Sequence, residues 1–188
     1  MEPPYPSTTW LRCQTITDEW WARRATVQWC PELAYRYTIL QAAVTGRMGG
    51  GVTWSFGPRP GGQWELGVRS FCERLGALVD QAGASLFGTR PSQAYVTKAA
   101  PAEGQPLNGL SYCATESPDG KKTFVHVFLP PKDRIFQLPV PADGRRFSSA
   151  RLLDTGRKVS LVQTDTGVRL TLDPADRWDD VDTIIVLE

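Results

Sequence analysis

The stretch Gly49-Gly50-Gly51-Val52-Thr53-Trp54-Ser55-Phe56-Gly57-Pro58 decides the predicted fold. It is a short alternating run of β-forming residues between glycines and a proline, which is typical of a strand over residues 52–56. A helix is predicted before it over residues 32–46, with Pro31 at its first position and Gly46 as its stop. One apolar face supports this helix, formed by Leu33, Tyr37, Leu40 and Val44.

A second helix is predicted after the strand, over residues 65–82, with Gly83 as its C-terminal stop. Its apolar face consists of Val68, Phe71, Leu75, Leu78 and Ala82. With the extended segment at the start of the chain, the first 90 residues have the order strand, helix, strand, helix.

After Thr89-Arg90-Pro91 the apolar period changes from 3.6 to 2. Seven short strands are predicted, within residues 112–114, 123–129, 135–140, 147–153, 159–164, 168–172 and 183–187. Asp-Gly and Asp-Thr-Gly turn signals separate several of them. This pattern is typical of an antiparallel sandwich.

We therefore predict an α+β chain with three parts. Residues 1–91 form a βαβα segment, residues 92–110 a linking loop and residues 111–188 a β-sandwich. A two-strand parallel sheet leaves faces and edges uncovered, so either the sandwich or another chain has to cover it. We expect a homodimer or another partner that completes the first segment.

Composition and charge exclude several functions. The 188 residues carry a formal net charge of +1, which gives no electrostatic basis for nucleic-acid binding. No apolar run approaches the length of a membrane span, and the start Met1-Glu2-Pro3-Pro4 lacks signal-peptide features. The four cysteines are widely spaced, so we expect reduced, mostly buried thiols, a cytoplasmic location, and neither a metal site nor a cofactor.

Six of the seven tryptophans fall in the first 64 residues, namely Trp10, Trp20, Trp21, Trp29, Trp54 and Trp64. Such a cluster indicates either a core filled with large side chains or a surface that stacks on a sugar or a flat apolar ligand. We take Trp10, Trp20, Trp21 and Trp54 as candidate ligand-binding residues.

Four stretches in order along the chain resemble known sequence motifs. Residues 10–20, Trp10-Leu11-Arg12-Cys13-Gln14-Thr15 onward, resemble a W-E-x-C-x-T segment, and residues 49–58 resemble G-G-N-L-L-L-N-I-G-P. Residues 83–91 resemble G-E-A-I-Y-G-T-R-P, and residues 147–188 resemble the end of a β-sandwich. Together they resemble the C-terminal part of the α-L-fucosidases of glycoside hydrolase family 29.

The resemblance implies the last two βα units of a (β/α)8 barrel, followed by a β-sandwich. In such enzymes a nucleophilic Asp and an acid/base Glu lie about 5 Å apart. Here the nucleophile strand lies outside the resemblance, Leu11 replaces the proposed acid/base Glu, and Ala84 replaces the helix-exit Glu. The resemblance therefore implies a kept fold whose original chemistry is lost.

Four other residues are of chemical types that can carry a reaction. Asp18 and Glu19 lie at the end of the first βα loop, where barrel enzymes place catalytic groups, so they are candidate catalytic residues; alternatively they are solvated acids at a helix start. His126 alternates with two phenylalanines and is predicted to be a hydrogen-bonded structural residue. Cys13 has no histidine nearby in sequence and is predicted to be structural.

Three functions remain open at this stage. The first is a fucosidase-like hydrolase that needs a partner chain. The second is a non-hydrolytic binding or accessory protein with a Trp-lined pocket, and the third is an enzyme recruited for small-molecule biosynthesis. We favour a carbohydrate-related remnant that does not hydrolyse fucosides alone.

Overall fold

Two parallel strands and the helices that follow them form the first part of the structure. The structure is a computed structural model, which describes residues 11–17, 27–45, 51–97, 107 and 110–188. Strand β1 (Leu11–Thr15) pairs in parallel with β2 (Gly51–Ser55), with Cys13 opposite Thr53. Helix α1 (Pro31–Thr45) connects them and α2 (Val68–Gln81) follows, so the predicted order is confirmed.

Helix α2 ends at Gln81 with Ala82 as its C-cap, so the predicted end before Gly83 is confirmed, but Gly83 is not a left-handed stop. Ala82 keeps right-handed helical angles, and Gly83 begins a further short helix, α3 (Gly83–Leu86). The left-handed glycine comes five residues later, at Gly88, where φ is 68°. The short helix ends at Leu86 and Phe87 is already extended, so the chain leaves the helix just before it reaches Gly88.

All seven predicted sandwich strands are present. They are β4 (Tyr112–Glu116), β5 (Thr123–Val127), β6 (Ile135–Leu138), β7 (Ala150–Leu152), β8 (Ser160–Thr164), β9 (Gly167–Thr171) and β10 (Thr183–Leu187). An additional two-residue strand, β3 (Arg90–Pro91), pairs with β4. The strands form a five-stranded sheet in the order β3-β4-β5-β10-β7 and a three-stranded sheet in the order β6-β9-β8.

The five-stranded sheet has two apolar faces. One face packs against the three-stranded sheet, where Val125, Val127 and Leu170 are fully buried. The other face packs against the helices, and Cys113 and Phe128 belong to the same buried cluster as residues of α1 and α2. All five residues of β5 are buried as a result. The sandwich therefore packs against the helices of the first segment.

Helix α1 is buried on more than its predicted face. Ala34, Tyr35, Ile39 and Gln41 are buried in addition to Tyr37 and Leu40 of that face, whereas Leu33 and Val44 are only half-buried. The helix contacts β2, α2 and the β3–β4 edge of the sandwich, so apolar residues surround most of its circumference.

An ion-pair cluster holds the first residues after α3 against the sandwich. Glu116 on β4 is fully buried, and its carboxylate accepts hydrogen bonds from Arg90 Nε at 2.9 Å, the Gln93 backbone N–H at 3.0 Å and Arg145 Nη2 at 3.2 Å. Arg145 also bonds Asp143 through its Nε at 2.6 Å. Charge-assisted hydrogen bonds of this kind hold β3 and the residues that follow it against β4.

No helix in the described part of the chain combines the length and the apolar character that a bilayer span requires.

Candidate functional site on the β1–β2 sheet

Five of the predicted site residues lie outside the residues that the structure describes. They are the candidate catalytic residues Asp18 and Glu19 and the candidate ligand-binding residues Trp10, Trp20 and Trp21. Their roles stay predictions. The sixth, Trp54, lies on β2 and is described.

The two faces of the β1–β2 sheet differ in chemistry. The helix-facing side is identified by Trp54, whose indole N–H donates to Thr38 Oγ1 on α1 at 3.0 Å, and by Gln14, whose amide nitrogen lies 3.4 Å from the Tyr37 hydroxyl. On the opposite side Cys13 Sγ lies 3.5 Å from Ser55 Oγ. Because side chains alternate along a strand, Thr15 and Thr53 share the face of Cys13 and Ser55. We call this surface the open face.

The open face is made of small polar side chains. Cys13 and Thr53 are exposed, and Thr15 and Ser55 are half-buried. Hydroxyl groups can donate and accept hydrogen bonds with a polar ligand. On the part of the open face that the structure describes, no strand residue carries a carboxylate, so no strand side chain there can act as a carboxyl acid/base or as a carboxylate nucleophile.

Trp54 is packed among other aromatic rings. Its ring centroid lies 5.0 Å from that of Trp29, 6.0 Å from that of Tyr37 and 6.1 Å from that of Phe71, each at a steep interplanar angle. The residue is half-buried and its N–H is bonded to Thr38. These contacts are typical of aromatic core packing. Ligand binding by Trp54 stays a prediction.

A carboxylate that the sequence analysis did not single out follows β2. Glu65 is buried, with 5% of its surface exposed, and its Oε2 accepts a hydrogen bond from Arg59 Nη2 at 2.7 Å. Nearby, the rings of Phe56 and Trp64 form an edge-to-face pair with centroids 4.9 Å apart. In the sequence, the only signal for this carboxylate is that Glu65 is a single acidic residue in the loop that follows Gly57-Pro58. The ion pair with Arg59 orders this loop.

The prediction that His126 is a buried, hydrogen-bonded residue is confirmed. Its Nδ1 lies 2.6 Å from Asp182 Oδ2, and the same oxygen accepts a hydrogen bond from the Tyr35 hydroxyl of α1 at 2.7 Å. Burial, reinforced by the charge of Asp182 and by this hydrogen bond, raises the pKa of Tyr35 far above its ordinary value. The group joins α1 to β5 and to the residue before β10, and the only histidine of the sequence lies in the sandwich rather than beside Cys13.

The cysteines are less buried than the sequence analysis predicted. All four cysteines are free, and Cys113 is buried, but Cys13 and Cys30 are exposed and Cys72 is half-buried. The expectation of mostly buried thiols is therefore wrong for two of them, because both lie at the surface of the first segment. In the described ranges, no three His, Cys, Asp or Glu side chains lie close enough together to hold a metal ion.

Comparison with known proteins identifies the fold. No protein-family model and no curated protein sequence matches the chain. Among solved structures, α-L-fucosidase isoenzyme 1 from Paenibacillus thiaminolyticus superposes with a TM-score of 0.71 at 19% identity, over 100% of this chain and 43% of that one. The Thermotoga maritima α-fucosidase gives 0.74 at 15% identity, over 97% of this chain and 40% of that one.

A Bacteroides thetaiotaomicron α-L-fucosidase of family GH29, trapped as a covalent intermediate, gives a TM-score of 0.73 at 16% identity, over 100% of this chain and 41% of that one. The chain thus spans about two fifths of the length of these structures. The resemblance seen in the sequence is confirmed, and the chain has the fold of the C-terminal region of GH29 α-L-fucosidases.

Proposed function

We propose that the chain is an α-L-fucosidase-like glycoside hydrolase remnant with a carbohydrate-related role, and that it does not hydrolyse fucosides alone. In this proposal β1 and β2, with α1 and α2, derive from two βα units of a (β/α)8 barrel. The parallel register of β1 and β2 and the helix that connects them support this origin.

The open face is the observation that carries the proposal. In a (β/α)8 barrel the strand side opposite the helices faces the barrel interior, and catalytic groups lie at the carboxyl ends of the strands. Here that side presents Cys13, Thr15, Thr53 and Ser55, and Leu11 occupies the position of the acid/base Glu in the resemblance. A retaining mechanism needs two carboxyl groups about 5 Å apart, which these strand residues do not supply.

An aryl α-L-fucoside assay of the purified chain tests the loss of hydrolysis. We expect release of the aryl alcohol at the rate of buffer alone, because removing one catalytic group of a cooperating set costs several powers of ten in rate. A bacterial α-L-fucosidase with its full barrel serves as the positive control. Turnover that scales with protein concentration and persists after repurification would contradict the proposal.

We also propose a partner for the β1–β2 sheet, either a second copy or another chain that completes the half-barrel. In the described ranges each of these two strands pairs only with the other, so one edge of each strand and the open face have no cover. Exposed sheet edges favour association with further strands. A symmetric dimer is the commonest such arrangement.

Sedimentation equilibrium at micromolar concentration tests self-association. We expect a mass of twice 20.8 kDa for the purified chain. Thr53→Lys, on the open face, should shift the equilibrium to the monomer, whereas Ser160→Lys, at an exposed position of β8, should not. A mass near 20.8 kDa for the unmodified chain would show that it does not self-associate and leave another partner chain to be sought by purification from its native source.

The alternative function is a non-hydrolytic binding or accessory protein, or an enzyme recruited for small-molecule biosynthesis. The tryptophan-rich composition of the first 64 residues favours it, together with the hydroxyl groups of the open face. Titration of tryptophan fluorescence with L-fucose tests this function, and Trp54→Phe separates the signal of Trp54 from that of the six other tryptophans. Free thiols at all four cysteines support our proposal of a reducing, cytoplasmic location.

A further inference from the structure

A cavity of about 290 Å³ lies where α1 and α2 meet the sandwich. We call it the junction cavity. It has walls from both helices, from the turn after β7 and from the segment that leads into β10. Five charged residues line it together with Tyr35, namely Arg74, Asp154, Arg177, Asp179 and Asp182.

Asp182 is the most deeply buried charged group of this wall. Its side chain is 3% exposed, and its Oδ2 already accepts hydrogen bonds from Tyr35 and His126. No described group donates to its other oxygen, Oδ1. A buried carboxylate oxygen without a donor is costly, so an occupant that brings a hydroxyl or another donor to this wall is favoured.

The remaining polar groups provide both donors and acceptors. The guanidinium of Arg74 donates from its Nε to Glu32 at 2.9 Å, so its terminal nitrogens remain as donors for an occupant of the cavity. Arg177 has no ion-pair partner among the described residues. Asp154 and Asp179 use one carboxylate oxygen each for local backbone N–H groups. Two guanidinium groups and three carboxylates give the lining a formal charge of −1, which disfavours anions.

An apolar wall completes the junction cavity. Leu78 of α2, Leu152 of β7 and Ile184 of β10 line it. A ring with hydroxyl groups at its edge and C–H groups on its face matches such a mixture of paired donors and acceptors beside an apolar surface. The volume is at the lower end of small-molecule sites, so it accommodates a single ring.

From these features we propose that the junction cavity binds one neutral polyhydroxylated ring, the size of a monosaccharide or a cyclitol. The ring hydroxyls donate to Asp182 and Asp154 and accept from Arg177, and the C–H face lies on the leucines. This inference goes beyond the proposed function, since none of the lining residues belongs to β1 or β2 and the site needs neither the open face nor a partner chain.

Chemical-shift mapping on the ¹⁵N-labelled full chain tests the proposal. The probes are methyl α-L-fucopyranoside and myo-inositol, with putrescine and inorganic phosphate as charged comparators. We expect saturable shifts for the two neutral probes at Kd values of about 1–10 mM, the weak range for a single small ring. The shifts should cluster at the backbone amides of residues 78–81, 152–154 and 179–184.

Two exposed wall residues provide variants that keep the fold. Arg177→Ala combined with Asp154→Asn should weaken binding by about tenfold or more, the equivalent of one charge-assisted hydrogen bond. The matched control combines Arg169→Ala with Asp165→Asn, which are exposed positions on β9 and its preceding turn. Asp182→Asn is unsuitable alone, because that carboxylate also holds Tyr35 and His126.

Each other outcome overturns the inference in a distinguishable way. Absence of saturable shifts with both neutral probes up to about 100 mM would show that the cavity does not bind a ring. Tighter binding of putrescine than of the neutral probes would make it an amine site. Shifts confined to residues 11–17 and 51–56 would instead support binding at the open face, and so support the proposed function while refuting the junction cavity.

Discussion

Glu116→Gln should destabilise the protein markedly, although the substitution preserves the size of the side chain. Glu116 is fully buried and receives hydrogen bonds from Arg90, Arg145 and the Gln93 backbone N–H. The amide of the variant has one acceptor oxygen, and its NH₂ group would face a donor. At least one donor therefore loses its acceptor, and both arginines lose a counter-charge.

The magnitude follows from the exposure of the partners. A hydrogen bond to a charged group contributes about 1.5–3 kcal/mol, and breaking a fully buried ion pair costs about 3–5 kcal/mol. Here the side chains of Arg90 and Arg145 are 39% and 21% exposed, so water partly replaces the lost carboxylate, and Arg145 keeps Asp143. We expect a loss of about 3 kcal/mol in the free energy of unfolding, which corresponds to about 6–12 °C in Tm for a chain of this length.

Urea and thermal denaturation followed by circular dichroism measure this loss. The matched control is Glu73→Gln on the exposed face of α2, where the Arg69–Glu73 pair is 3.7 Å apart and both side chains are more than two-thirds exposed. Exposed pairs of this type contribute little, so the control should stay within about 0.5 kcal/mol of the unmodified chain. A Glu116→Gln variant as stable as that control would refute the reasoning.

Two further predictions concern backbone strain and thiol reactivity. Gly167→Ala should lower the free energy of unfolding by about 2–3 kcal/mol, because φ at Gly167 is 148° and a Cβ there would collide with the Leu138 carbonyl oxygen. Gly76→Ala, in open space on α2, should instead raise the free energy of unfolding by about 0.5–1 kcal/mol. Equal effects of the two substitutions in urea titrations would contradict this prediction. In the native protein Ellman's reagent should label Cys30 quickly and Cys113 only on unfolding, because Cys30 is exposed, whereas burial and then the charge of Asp182 raise the pKa of the Cys113 thiol. Mass spectrometry of the labelled peptides checks the order.

Local patterns allowed most of the secondary structure to be predicted. Period-two runs and Asp-Gly turns were sufficient for all seven sandwich strands, since each signal lies within a few residues. The burial of α1 could not be predicted in the same way. Its extra buried residues, Ala34 and Ile39 among them, face partners far along the chain, which a single helical face does not reveal.

The polar contacts of the interior were harder to predict for the same reason. His126 and Asp182 are 56 residues apart, and Tyr35 is 147 residues from Asp182. The alternation of His126 with two phenylalanines indicated a hydrogen-bonded histidine but did not identify its partner. Trp54 shows the corresponding limit at the candidate site. Its abundance of aromatic neighbours is equally compatible, in sequence, with a core and with a stacking surface, and only their arrangement in space distinguishes the two.

Helices α1 and α2 share one apolar cluster with the outer face of the five-stranded sheet. This shared cluster decides whether the two parts of the chain can be separated into fragments. A fragment of residues 111–188 would present Phe128, His126 and Ile184 to water, and a fragment of the first segment would present the matching side of α1. We therefore expect that neither fragment stays soluble when it is separated from the other. The helices and the sandwich thus have to be inherited together.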